Sequence, residues 1–275
     1  MGSLTQESGP PSGRLWPVHS IRSRLLSRLR DRSLRSDARS SIELHVIGGF
    51  WLTEHERTIA IPASTQRLLA LLALRQRPLR RAYVAGILWI DADEDRATAS
   101  LRSALWRLRR PGFPLVKASG SDVGLGSDVE VDYRDALELA HWVVEGWLDQ
   151  LGVSLDDVPF HLLTQDLLPD WYEDWVAGER EFFRQLRLHA LEILCLRFAE
   201  ARLFARAVEA GLAAVQAEPL RESAHRALMR AYAAEGNRHE VLRQYHWYRR
   251  LLLEELGGSP SAEMEELALS LDAAR

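Results

Sequence analysis

The spacing of apolar residues changes along the chain, and each change predicts an element. Ile42, Leu44 and Val46 alternate with Glu43 and His45, so a strand is predicted where ordered structure starts, at Ser41. Gly48-Gly49 interrupts it, residues 50–52 resume it, and residues 57–61 read as another short strand. The period then becomes helical. Pro62 precedes a helix capped near Ser64 or Thr65, carrying Leu68, Leu69, Leu71, Leu72 and Leu74 and ending before Pro78. A second helix is predicted over residues 81–89. A third, over residues 94–110, buries Ala97, Leu101, Ala104, Leu105 and Leu108 and ends at Pro111-Gly112. Residues 113–118 and 122–125 read as a hairpin around Ser119-Gly120-Ser121. From Asp132 the pattern is helical almost to the last residue.

The third helix carries the most chemistry. Asp91, Asp93, Glu94 and Asp95 stand at its start, where a helix N-terminus favours negative charge. Opposite Leu101 lie Arg96, Ala99, Ser103, Trp106 and Arg110, with Arg107 beside them. Such a face has two readings: a solvated charged surface, or a surface that enters a DNA major groove. Charge distribution favours the second. Residues 1–117 hold 20 basic and 10 acidic side chains, whereas residues 118–275 hold 15 and 29, so a net charge of −4 conceals a basic first half and an acidic second. A basic module is the electrostatic footprint of a polyanion binder.

The order of strands, three helices and a hairpin predicts a winged helix-turn-helix over residues 41–131. Residues 132–275 then form a second, helical domain with an internal repeat. Phe198 aligns with Tyr232 and Ala207 with Val241 at a spacing of 34, the period of the tetratricopeptide helix pair. Residues 238–256 are the predicted long last partner helix and residues 260–273 its cap. The expected fold class is mainly α with a small β component: a winged helix-turn-helix followed by a tetratricopeptide-like helical domain. Ahead of both, residues 1–40 are rich in Gly, Ser, Pro and Arg and read as a flexible tail. Trp171 and Trp175, one helical turn apart, are expected in the core between the helical domain and its neighbour.

Other chemistry is thin. The single cysteine, Cys195, excludes an intramolecular disulfide and reads as a small core residue. No apolar run approaches a membrane span, and no signal-peptide core is visible, so a cytoplasmic protein is expected. Residues 91–95 lack the Gly and Glu of a calcium loop, having Arg96 and Arg102 at those positions. No zinc spacing, nucleophile constellation or phosphate-binding GxxxxGK[ST] loop is present. No catalytic residue, metal or cofactor is expected, and the chain does not read as an enzyme.

Leu88-Trp89 followed by DADEDRATASLRSALWRLRR resembles the DNA-binding domain of the Streptomyces antibiotic regulatory proteins. LLPDWYEDWV, QLRLHALEIL, EPLRESAHRALMRAYAAEGNR and QYHWYRRLLLEELG resemble the bacterial transcriptional activator domain of the same family. The resemblance implies a transcription activator that binds direct repeats in promoter DNA, recruits RNA polymerase holoenzyme and serves secondary-metabolite genes. A homodimer on DNA is expected. The chain departs from the family pattern at Ile90, where Pro is usual, and at Ser100, where Asn is usual. Serine cannot make the bidentate adenine contact of asparagine, so Ser100 either shifts the preferred site or is a packing position.

The candidate DNA-binding residues are therefore Arg96, Thr98, Ser100, Arg102, Ser103, Trp106, Arg107 and Arg110 on the third helix, with Lys117 on the hairpin. Thr98 lies where helix N-terminal amides also favour a phosphate. Trp106 either packs under the hairpin, the favoured reading, or stands exposed as a contact.

Overall fold

In chain order the computed structural model shows strands β1 (Ile42–His45), β2 (Trp51–Glu54) and β3 (Arg57–Thr58), then helix α1 (Ala63–Arg75) and strand β4 (Leu79–Arg80). Helices α2 (Arg81–Leu88) and α3 (Glu94–Arg107) precede strands β5 (Arg109–Arg110), β6 (Phe113–Pro114), β7 (Val116–Ser119), β8 (Asp122–Leu125) and β9 (Val129–Val131). Six further helices follow: α4 (Asp132–Val144), α5 (Asp174–Glu200), α6 (Phe204–Ala217), α7 (Glu222–Glu235), α8 (Arg238–Leu256) and α9 (Ala262–Asp272). The structure describes residues 42–55, 57–110 and 113–272. The Arg-rich tail of residues 1–40 lies outside the described residues.

β1 keeps its alternation, with Ile42 and Leu44 buried and Glu43 and His45 half-buried. It pairs antiparallel with β2 and parallel with β9, giving a sheet of order β3-β2-β1-β9. β9 hands the chain directly to α4, so no linker separates the two halves. The Asp132 carboxylate at the start of α4 accepts hydrogen bonds from Val46 N at 3.0 Å and Ile47 N at 3.1 Å. These satisfy two amides that β1 leaves unpaired at its end.

α1 is the central helix of the first half. Every residue from Leu68 to Leu74 is buried, as befits a helix covered by α2, α3 and α5. A second sheet, β4-β8-β7, closes that side.

The second half is a stack of antiparallel helices joined by short turns. Phe198 and Tyr232 are buried, as are Ala207 and Val241, so residues 34 apart occupy equivalent core positions. Gly211 lets α6 approach α5 and α7 closely: a Cβ there would stand 2.9 Å from Leu228 Cδ1 and 3.0 Å from Cys195 Sγ. Between α4 and α5 the chain makes two short 3-10 turns, Leu155–Asp157 and Phe160–Leu163. Phe160 meets the Phe198 ring edge-on, and the Arg206 guanidinium covers both rings.

The expected core role of Trp171 and Trp175 is seen in part. Both are half-buried and edge-to-face, and Trp171 stacks on Phe50 of the β1–β2 turn with centroids 5.6 Å apart. Cys195 is fully buried, and burial pushes its thiol up to about 12.

Candidate nucleic-acid interface

α3 is built to show one face. Asp93 caps it, its Oδ1 accepting from Arg96 N at 2.9 Å. Glu94 and Asp95 occupy the first turn and Arg107 the last, both favourable to the helix dipole. Ala97, Leu101 and Ala104 are buried against α2 and α1. This anchored back turns Arg96, Thr98, Ala99, Arg102, Ser103, Trp106 and Arg107 outward, all exposed. Ser100 is half-buried beside the back.

The outward cations are available. Arg96 pairs with Asp93 across 3.3 Å, but its side chain is 83% exposed and the pair is well screened. Arg107 donates to Ser64 Oγ at 3.3 Å, which ties the end of α3 to the start of α1. Arg102 has no ion-pair or hydrogen-bond partner among the described residues.

Two expectations are corrected. Trp106 is 73% exposed, so it does not pack under the hairpin. Its position opposite Leu101 points it away from the core, and the buried back of α3 is already filled by small and aliphatic residues. Arg110 is not on the helix. α3 ends at Arg107, Leu108 is its buried C-cap, and Arg109–Arg110 pair antiparallel with Phe113–Pro114. The cause is local: Pro111 disfavours helical backbone at the residue before it and pushes Arg110 to an extended conformation.

The wing is β7-β8, closed by the two-residue turn Gly120-Ser121, with Gly120 at φ +55°. Lys117 lies opposite Gly124, and both Ser119 and Arg80 lie opposite Asp122. The pleat therefore sets Arg80, Lys117 and Ser119 on one face, away from buried Leu79 and Val123. Lys117 is exposed and has no partner among the described residues. Arg80 was missed by the sequence reading. It donates to Ser121 Oγ at 3.0 Å and lies 3.6 Å from Asp122, yet its side chain is 75% exposed. The basic run Arg77, Arg80, Arg81 was the available signal, but only pairing with β8 makes Arg80 part of the wing.

Residues 157–271 match the family model of the bacterial transcriptional activator domain. Over 240 residues the chain is 28% identical to the regulatory protein AfsR of Streptomyces coelicolor, a match covering 82% of this chain and 24% of that protein. The matched segment, residues 157–271, contains the motifs that carry the resemblance to the activator domain of the Streptomyces antibiotic regulatory proteins. The chain spans about a quarter of the length of AfsR. The fold also resembles that of Mycobacterium tuberculosis EmbR, solved in complex with a low-affinity phosphopeptide. The TM-score is 0.61 at 17% identity, covering 86% of this chain and 66% of the EmbR chain. The mainly helical architecture with a small N-terminal β component agrees with the fold class read from the sequence.

Proposed function

We propose that this chain is a transcriptional regulator of the Streptomyces antibiotic regulatory protein type, a sequence-specific DNA-binding activator. Residues 41–131 act as its winged-helix DNA-binding domain and residues 132–275 as its activator domain. The observation that carries the reading is α3 itself, an anchored helix that turns Arg96, Arg102, Ser103, Trp106 and Arg107 outward beside a wing bearing Arg80 and Lys117. α3 enters the major groove. Thr98 and the wing residues contact phosphates, and Arg110 acts from β5. Ser100, beside the buried back, supports packing more than base reading. Two copies occupy direct repeats in promoter DNA, recruit RNA polymerase holoenzyme and serve secondary-metabolite genes in the cytoplasm.

The test is a competition titration of the full chain against fragments of its own and neighbouring promoters at two salt concentrations. A preferred fragment is expected. Its log K should fall with a slope of roughly −5 per log unit of salt if about 6 phosphates are neutralised. Arg102→Ala/Arg107→Ala should abolish the preference; unchanged binding by that variant overturns groove reading. Run-off transcription with purified polymerase then separates an activator from a repressor of the same fold.

A further inference from the structure

The outward face of α3 has a middle and two flanks. Its buried back centres on Ala97, Leu101 and Ala104. At about 100° per residue, the positions opposite that centre are Ala99 and Trp106, two turns apart. Both are exposed, Trp106 at 73%. Ser103 lies between them along the axis and beside them around it. Arg102 stands on one side of this row and Arg96 and Arg107 on the other, all exposed.

Flanks and middle offer different chemistry. Each guanidinium carries N–H donors in a fork that matches guanine or phosphate. The middle carries almost no donors. Ala99 has no polar side-chain atom. The Ser103 hydroxyl donates back to the Ala99 carbonyl at 3.0 Å, so its proton is used within the helix and its oxygen is left as an acceptor. Trp106 presents ring carbons and a single N–H, with no acceptor. None of the three can make the bidentate contacts by which guanine or adenine is read. One group in the major groove needs no hydrogen bond: the C5-methyl of thymine, which apolar side chains meet. The exposed indole stands among three arginines, and such a setting suits a polyanion rather than an apolar protein surface.

We propose that the row Ala99–Trp106 reads thymine by its methyl group, with Trp106 the specificity-determining residue. The flanking arginines read guanine or hold phosphates on either side. The inference rests on the reading that α3 enters the major groove, and adds which base the middle of the helix selects.

The test is a titration of the full chain against its preferred fragment and against copies in which one thymine at a time is replaced by deoxyuridine. The replacement removes the methyl group and keeps every hydrogen-bonding group of the base. At least one replacement within the site should weaken the wild type about fourfold, the factor for one buried methyl-sized group. Trp106→Ala should bind the unmodified fragment more weakly and lose the difference between thymine and deoxyuridine at that position, whereas Trp106→Phe should keep it. A side chain that only supports the helix would weaken both fragments alike and leave the difference intact. The proposal is overturned by a wild type that ignores every replacement, by Trp106→Ala that keeps the full difference, or by a preferred site without thymine. It is also overturned if Trp106→Ala binds DNA as the wild type does yet loses transcription with purified polymerase, since the indole is then a protein contact. Arg102→Ala/Arg107→Ala, titrated alongside, separates the two readings. Where that variant loses the preference but no methyl group is sensed, only this inference falls. Where no fragment is preferred, or that variant binds unchanged, groove reading falls and takes this inference with it.

Discussion

Arg67 of α1 lies 3.0 Å, Nε to Oε1, from Glu173 at the start of α5, so the helix at the centre of the winged helix is tied to the activator domain. The tie is one of several. Arg75, at the other end of α1, pairs with Glu179, whose second oxygen accepts from Tyr133 Oη at 3.3 Å. Burial and the charge of Glu179 push the Tyr133 phenol above its ordinary range, so it remains a donor. The Ile47–Leu167 bridge and the Phe50–Trp171 stack add backbone and aromatic contacts. The described residues accordingly fall within one compact unit, Arg39–Arg275.

This joint makes the two halves mutually dependent. Glu179→Ala leaves Arg75 and Tyr133 without their shared acceptor and is expected to cost about 1–3 kcal/mol. Urea unfolding should remain a single transition with a lower midpoint, because loss of the joint weakens both halves together. Tyr133→Phe and Glu179→Ala should be non-additive, since they remove one network. Two separate transitions in the wild type would show that the halves unfold independently.

The exit of α3 separates two arginines that helical periodicity places together. Arg107→Ala should lower affinity for the preferred fragment and relax discrimination at one base pair by about 1–3 kcal/mol, the signature of base reading. Arg110→Ala should weaken all fragments alike, since Arg110 sits on β5, outside the helix proposed to read bases. Arg80→Ala should likewise weaken all fragments and reduce the salt slope by about one. Relaxed specificity in Arg110→Ala, with none in Arg107→Ala, would reverse these assignments.

What was legible in the sequence followed from local pattern. The 3.6-residue spacing placed the back of α3, the alternation of residues 42–46 placed β1, and the 34-residue repeat placed Phe198 and Tyr232 at equivalent positions. What was missed depends on contacts distant in sequence. β9 is three residues long and joins β1 in parallel, so nothing near it announces a strand. Arg80 belongs to the wing only through Asp122 of β8, 42 residues onward. At Arg110 two local rules competed, and the restriction imposed by Pro111 outweighed helical periodicity. At Trp106 the angular position on α3, away from the buried back, outweighs the tendency of a bulky aromatic side chain to be buried.

The close crossing at Gly211 gives a stability test in the helical stack. Gly211→Ala adds a methyl group against Leu228 and Cys195 in a tightly filled contact. The gain in helix propensity of about 1 kcal/mol is outweighed by overpacking of typically 1–3 kcal/mol. The thermal midpoint should therefore fall, and Cys195→Ala in the same chain should recover part of the loss by removing the sulfur. An unchanged or raised midpoint in Gly211→Ala would show that α6 can shift without cost. The native Cys195 thiol should also resist modification at pH 8 until the chain unfolds, since burial holds it protonated.

Two histidines, one buried and one half-buried, should bound the stability profile from opposite sides. His225 is fully buried between Pro219 and Gln244. Its Nε2–H donates to the Pro219 carbonyl at 2.8 Å, and Nδ1 accepts from Gln244 Nε2 at 2.7 Å. Burial lowers its pKa below 6.5, with the Pro219 contact and Glu222 opposing. The unfolded state therefore binds the proton first. Stability from neutral His225 is present above about 6.5 and is lost as pH falls below that value. His45 behaves oppositely. Burial alone would lower its pKa, but Asp132 and Glu43, each 3.6 Å away, outweigh it and raise the pKa to about 9. Its contribution is complete below 6.5 and is lost as pH rises through 9. Thermal midpoints measured from pH 5 to 10 should show both limbs. His225→Gln should flatten the acid limb and His45→Gln the alkaline one. An acid limb that survives in His225→Gln would assign that loss of stability to the carboxylates of the salt bridges.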